Sequence, residues 1–253
     1  MNIRQILLIT FTISASPYIS QSVSGTVEGH SYVDLGLQSG TLWATCNVGA
    51  SKPTESGDHF AWGEVAPKKD YSWQSYKWCV FETDSLTKYV CRDTTFKMER
   101  IGLNVYDLRP LSNPSSERTE CCYDYDELQT EDDAASINWG CLWKTPTATE
   151  VKELADGCDW TFTKNYRDSG IDGYIGVSKV NGNTIFFPVT GEKTYPYIYA
   201  SSPSCCSYWS SSLDSDPGAH STYAYILLLY DDYFDCYSFS RNIGLSVRAV
   251  VKR

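Results

Sequence analysis

The chain of 253 residues is short of histidine, of basic charge and of long apolar runs. Its three His are His30, His59 and His220, and none of its ten Cys falls in a C-x-x-C spacing. A structural zinc site draws four Cys or His ligands from such spacings, so no metal is expected. Lys and Arg number 21 against 31 Asp and Glu, a formal charge of −10 with a pI near 4.8. A nucleic-acid partner calls for a basic face, and a membrane-surface role calls for polybasic stretches; the composition argues against both. No later segment is apolar over the roughly 20 residues of a spanning helix, so no transmembrane segment is expected. There is no G-x-S-x-G elbow, no H-E-x-x-H pair and no P-loop, and acidic pairs such as Asp124 and Asp126 are ordinary loop residues. No catalytic residue and no cofactor is therefore assigned, and the chain is not read as an enzyme. The stretch "DYDELQTEDD" offers oxygens for a hard cation, but reads as a solvated acidic loop.

What the chain does have is aromatics: 19 Tyr and 8 Trp. Such side chains combine large contact area with a polar handle, and so serve both cores and binding surfaces. The first residues, "MNIRQILLITFTISAS", place one Arg before an apolar run from Ile6 to about Ala15 and then small residues. That order is the pattern of a secretory signal peptide, with cleavage between Ser16 and Gly25. Residues 1–25 are accordingly read as signal peptide and short leader, and 26–253 as a single domain. Export to the cell surface, the periplasm or the medium would permit disulfides, though ten Cys do not reveal their connectivity. The vicinal pairs Cys121-Cys122 and Cys205-Cys206 fit a disulfide framework poorly.

Short β-prone runs flank Gly40: Tyr32, Val33 and Leu35, then Leu42, Trp43 and Ala44. Residues 82–130, rich in Pro, Ser and acids, read as a long irregular surface insertion. A helix is expected within Glu131–Gly140, acids first and Gly last. A second follows Thr147, where Glu150 completes a capping box, Val151, Leu154 and Ala155 form the apolar stripe, and Gly157 ends it. "GYIGVSKVNGNTIFFPV" is a hairpin about Asn181-Gly182. "SYWSSS", "YAYILLLY" and "GLSVRAVV" are further strands. The order indicates an α+β domain: two helices packed on short, mostly antiparallel strands with long irregular loops.

The segment Tyr230–Phe239 holds five aromatics and three Asp directly before a plain framework strand. Tyr with Asp and Ser is the palette of recognition surfaces, rigid contact area plus adaptable hydrogen bonds. In a strand from Tyr233, residues Tyr233, Asp235, Tyr237 and Phe239 share one face, and Cys236, Ser238 and Ser240 share the other. That aromatic face is either contact surface or core. The adjacent Asp231 and Asp232 after Tyr230 resist burial and favour surface. "YAYILLLY" is apolar on both faces, which marks a buried central strand. Tyr195, Tyr197 and Tyr199 alternate over an expected loop and are read as contact surface. The candidate ligand-binding set is thus Tyr195, Tyr197, Tyr199, Tyr230, Asp231, Asp232, Tyr233, Asp235, Tyr237 and Phe239.

The strings "YVDLGLQSGTLWATCNVGA", "GDHFAWGE", "EDDAASINWGCLWKTPTATEVKEL", "NGNTIFFPVTG", "YWSSS" and "GLSVRAV" resemble the Fibrobacter succinogenes major paralogous domain family of secreted or surface proteins in Bacteroidetes-type bacteria. The resemblance runs from about Tyr32 to Val250, outside the 82–130 insertion. It implies a C-type-lectin-like fold. "WGCLWKTPTATEVKEL" is also similar to a segment of formylglycine-generating-enzyme-like domains, with Lys144 where Arg is usual and Cys141 where Gly is usual. Their C-terminal Cys pair is not reproduced by Cys205-Cys206. The Glu-Pro-Asn, Gln-Pro-Asp and Trp-Asn-Asp strings of calcium-dependent lectins are missing. Some C-type-lectin-like proteins are diversified by retroelements in a C-terminal stretch, and residues 195–240 have that residue set. The resemblance implies mainly the fold; with the Tyr/Asp/Ser-rich C-terminal face, the chain is read as a secreted or cell-surface module that recognises a protein or glycan. The alternative is a fixed structural component of the cell envelope.

Overall fold

A computed structural model describes residues 19–80, 85–90, 96–102, 105–110, 125–194, 204–214 and 222–253. Along the chain run strands β1 (Gly25–Val27), β2 (His30–Asp34), β3 (Thr41–Ala44), β4 (His59–Phe60), β5 (Cys79–Val80), β6 (Ser85–Leu86), β7 (Phe96–Gly102) and β8 (Val105–Pro110). Helices α1 (Ala134–Trp139) and α2 (Ala148–Gly157) follow. The chain then returns to strands: β9 (Cys158–Thr163), β10 (Gly173–Ser178), β11 (Thr184–Pro188), β12 (Cys206–Leu213), β13 (Tyr223–Tyr230), β14 (Tyr233–Ser240), β15 (Leu245–Ser246) and β16 (Val250–Lys252). The α+β class holds, and all strand pairings are antiparallel except β12 with β15. No helix among the described residues is long and apolar enough to cross a membrane.

The first sheet, ordered β1-β2-β3-β16, joins the two ends of the domain: Trp43 faces Val33 on one side and Val250 on the other. A second sheet, β11-β10-β9, carries the Asn181-Gly182 hairpin, where Gly182 takes the positive φ of +73° that the turn requires. The third, β14-β13-β12-β15-β4, divides the interior. Neighbouring residues of its strands point into different cores, as alternation demands. Trp209 and Ile226 enter one core with Trp62, Trp143 and Leu245; Tyr208, Leu227 and Leu229 enter the other with Trp43, Tyr174 and Phe187. That is why "YAYILLLY" is apolar on both faces.

Helix α2 closes the second core. Its N-terminus is the expected capping box: Thr147 Oγ1 accepts from the Glu150 N–H at 3.2 Å, and Glu150 Oε2 accepts from the Thr147 N–H at 2.8 Å. Such a cap contributes about 1 kcal/mol. Val151, Leu154 and Ala155 face Leu227 and Leu229 of β13 and Cys236 and Phe234 of β14, each large side chain contributing roughly 1.5–3 kcal/mol by burial. The helix ends at Gly157, where a Cβ would stand 2.5 Å from Leu37 Cδ2. Glu150 does more than cap. It also accepts from the Thr41 hydroxyl at 2.8 Å and from Lys252 Nζ at 2.6 Å, tying α2 to β3 and β16.

Several expectations need correction. The run "GLSVRAVV" is two short strands in two sheets, β15 beside β12 and β16 beside β3. Arg248 lies between them, wholly buried, donating to Asn47 Oδ1 (2.8 Å), Ala44 O (3.3 Å) and Phe186 O (3.1 Å). A guanidinium fork aimed inward cannot sit in a regular ladder, so the chain crosses from one sheet to the next around it. The insertion is not irregular throughout. It contains the β7–β8 hairpin, and Tyr89 is fully buried against Trp62 with its ring edge-on at 5.0 Å. Arg241, also buried, donates to the Tyr76 hydroxyl (3.0 Å) and to the carbonyls of Tyr89 (2.9 Å) and Lys88 (3.2 Å), anchoring that segment. The first helix lies within Glu131–Gly140 as expected, with Asp133 as its N-cap accepting from the Ala135 and Ser136 N–H groups and Gly140 at its end.

At the N-terminus, residues 1–18 of the expected signal peptide lie outside the described residues. Residues 20–24 belong to the folded body. The Thr184 hydroxyl donates to Ser20 O at 2.5 Å, the Phe186 N–H to Gln21 Oε1 at 2.8 Å, and the Ser22 N–H to Thr184 O at 2.8 Å. Among the described residues, Cys46, Cys141, Cys158, Cys205, Cys206 and Cys236 are free thiols.

Candidate binding face

Strands β13 and β14 form a hairpin closed by Asp231 and Asp232. Asp231 takes a φ of +48°, a left-handed conformation that Asp tolerates better than most side chains. Its carboxylate accepts from Ser204 Oγ at 3.1 Å, which ties the hairpin tip to the start of the preceding strand. The cross-strand partners are Tyr230 with Tyr233, Leu229 with Phe234, Leu228 with Asp235, Leu227 with Cys236, Ile226 with Tyr237 and Ala224 with Phe239. Directly opposed residues share a face. The register therefore sorts the hairpin into an inner face, Leu227, Leu229, Phe234 and Cys236, and an outer face with Tyr230, Tyr233, Tyr237 and Phe239.

The inner face is covered by α2. Phe234 also meets Trp160 (centroids 6.2 Å apart) and Tyr174 (5.6 Å, edge-on). Burial pushes the Cys236 thiol up to about 12. With the inward positions filled, the tyrosines point to solvent: Tyr237 is 52% exposed, Tyr233 45% and Tyr230 39%. Phe239 is half-buried against the first core and continues the outer face inward. Of the acids, Asp231 and Asp232 are exposed at the tip. Asp235 is engaged by Lys152 of α2 at 2.9 Å. Burial alone would raise its carboxyl, but hydrogen bonds from Lys152 and the Cys236 N–H outweigh that and hold it below the usual range. Tyr195, Tyr197 and Tyr199 lie outside the described residues.

The outer face also contains an open cavity of about 260 Å³ that sequence reasoning did not locate. Its lining is mostly apolar, from Ile226, Leu228 and Phe239 with Tyr230 and Tyr237, and its polar members are Glu192, Cys205 and Ser207. Ser207 is placed there by β12, where it lies opposite Leu228. Its hydroxyl is 3.3 Å from Glu192 Oε1 and 3.7 Å from Cys205 Sγ. Burial raises the Glu192 carboxyl, with the Ser207 hydrogen bond opposing. Burial likewise raises the Cys205 thiol, and the neighbouring Cys206 still further. Thiols in that state are poor nucleophiles. The alternation in "YAYILLLY" already put Ile226, Leu228 and Tyr230 on one face. Glu192 and Ser207 carried no local signal, because their nearness depends on how β12 pairs with β13 and on the bridge of Lys193 to Gly244.

The arrangement is a rigid aromatic platform with one recessed carboxylate. Its geometry suits binding: the sheet is fixed by packing on its inner face, and large side chains of low conformational entropy stand outside. Among the described residues no group of three or more His, Cys, Asp or Glu is disposed to hold a metal ion. Comparison with protein-family models, with curated proteins and with solved structures finds no match to this chain.

Proposed function

We propose that the protein is an exported binding module that recognises a protein or glycan through the outer face of its C-terminal hairpin, on a C-type-lectin-like scaffold of the Fibrobacter succinogenes major paralogous domain type. The observation that carries this reading is the register of β13 and β14. It turns Tyr230, Tyr233 and Tyr237 to solvent while Phe234 and Cys236 lock the other face to α2. Exposed Tyr on a stiff frame gives contact area without a large ordering cost, the usual economy of recognition surfaces. The pairing of the two terminal strands through β3 and β16, and the two helices flanking short antiparallel strands, are in keeping with the proposed fold. Free thiols and an acidic surface are compatible with export but do not require it.

The test compares the full chain with a Tyr230→Ala/Tyr233→Ala/Tyr237→Ala variant on glycan arrays and on intact bacterial cells. The expected result is saturable binding by the first and at least tenfold weaker binding by the second, at equal folding. Equal binding by both overturns the reading and favours a structural envelope component. A near-copy of the codons for 195–250 beside a reverse-transcriptase gene would add that the face is diversified.

A further inference from the structure

We propose that the cavity beside Tyr230 and Tyr237 receives a basic side chain, lysine or arginine, presented by a protein partner, with Glu192 as its counter-charge. This deepens the binding-face reading and rests on it.

Most of the cavity lining is hydrocarbon and ring, from Ile226, Leu228 and Phe239 and from the exposed Tyr230 and Tyr237. Its one charged lining residue is Glu192, beside the Ser207 hydroxyl. An apolar trough with one carboxylate matches an amphipathic side chain: a carbon stem along the apolar lining and a cationic head at the carboxylate. The Tyr230 and Tyr237 rings of the lining add ring surface for the carbon stem and, where the head comes within reach of a ring face, cation–π attraction.

The state of Glu192 points the same way. It is half-buried, its hydrogen-bond partner is the neutral Ser207 hydroxyl, and burial raises its carboxyl. Two more deeply buried acids of this protein are supplied with cations, Asp132 with Lys77 and Lys88 and Glu150 with Lys252 and Lys144, and buried Asp133 is met by the Thr145 hydroxyl and several N–H donors. The adjacent Lys193 is felt by His59 and does not line the cavity. A bound ammonium or guanidinium would supply what the site itself lacks. The surroundings favour the same charge, since Asp231 and Asp232 are exposed at the hairpin tip and the whole chain carries −10. A field of that sign draws cations and repels anionic partners. The cavity is open, and Tyr230 in its lining is paired across the hairpin with exposed Tyr233, so the residue that fills it can belong to a much larger molecule.

The probes are Nα-acetyl-lysine methylamide and Nα-acetyl-arginine methylamide, with Nα-acetyl-norleucine methylamide as the uncharged counterpart of lysine. They are titrated into the full chain and followed by tyrosine ring signals in NMR. The expected result is saturable binding of at least one basic probe, at least tenfold tighter than norleucine. Glu192→Gln should reduce the basic probe to the norleucine level, and Tyr237→Ala should weaken it several-fold. Thermal melts of both variants check folding. The proposal is overturned if no probe saturates, if norleucine binds equally, or if Glu192→Gln changes nothing. Should Glu192→Gln be silent while the triple Tyr variant still loses glycan or cell binding, the basic-ligand proposal falls and the binding face stands. If both are silent, both fall.

Discussion

Ile226 on β13 stands directly opposite Tyr237 on β14, yet the first is 1% exposed and the second 52%. One face of one hairpin thus passes from core to open surface across a single cross-strand pair. β13 is central and β14 is the edge, and the first core reaches Ile226 and Phe239 but stops short of Tyr237. The cavity lies at that boundary, where apolar floor and solvent meet.

This boundary separates stability from recognition. Tyr237→Ala and Tyr233→Ala are expected to change stability by no more than about 0.5–1 kcal/mol, as exposed substitutions generally do. Phe234→Ala, which empties the contact with Trp160 and Tyr174, should cost about 2–4 kcal/mol. Urea titration of the three variants would check the contrast; equal losses for all three would mean that the tyrosines are structural.

Glu150 joins a helix cap to the closure of the terminal strands. Glu150→Ala removes the acceptor for the Thr147 N–H, the Thr41 hydroxyl and Lys252 at once. A loss of about 2–4 kcal/mol is expected, larger than for a cap alone. Glu150→Gln, which keeps an acceptor, should lose less, and Lys252→Ala should become nearly silent in the Glu150→Ala background. A double-mutant cycle by denaturation measures this.

Acid should destabilise the fold in a defined way. Burial alone would raise the Asp132 and Glu150 carboxyls. Hydrogen bonds from Lys88, Lys77 and Tyr89 to Asp132, and from Lys252, the Thr147 N–H and Thr41 to Glu150, outweigh it and hold both below their ordinary values. The unfolded chain then binds more protons than the native one as pH falls through the ordinary carboxylate range near about 4, and stability is lost down through the folded values. Asp133, Glu127 and Glu192 are raised by burial and act in the opposite sense above that range. Melting midpoints from pH 8 to 3 should therefore be flat or slightly rising to about pH 5 and fall below it. Asp132→Asn should flatten the acid limb.

Arg248→Lys is expected to destabilise by about 2–4 kcal/mol despite its retained charge. A lysine cannot reproduce the forked donation to Asn47, Ala44 and Phe186, nor the guanidinium stacking 4.3 Å from the Phe187 ring. Chemical denaturation reads the loss directly, and a change under about 0.5 kcal/mol would contradict the role given to this residue.

Much of the frame was legible along the chain. The Thr147–Glu150 capping box, the Asn181-Gly182 hairpin and the two-faced apolar run of β13 follow from local chemistry: caps, turn conformation and strand alternation. Legibility ended where partners are distant. "GLSVRAVV" has the pattern of one strand, but the inward guanidinium of Arg248 divides it between two sheets. Tyr89 sits in a polar, irregular stretch, and its burial depends on Trp62 and Arg241, far away in sequence.

The site divides along the same line. Sequence by itself determined that an acidic, aromatic-rich hairpin would follow a buried central strand, because alternation and the Asp231-Asp232 tip are properties of adjacent residues. Only the tertiary structure decided which face of that hairpin looks outward, since α2 takes Phe234 and Cys236 and leaves the tyrosines to solvent. It also brought Glu192 to the trough, through the Lys193–Gly244 bridge and the Ser207 hydroxyl, contacts that no local pattern specifies. Side-chain direction is set by alternation, but the choice between inside and outside belongs to whatever packs against the sheet.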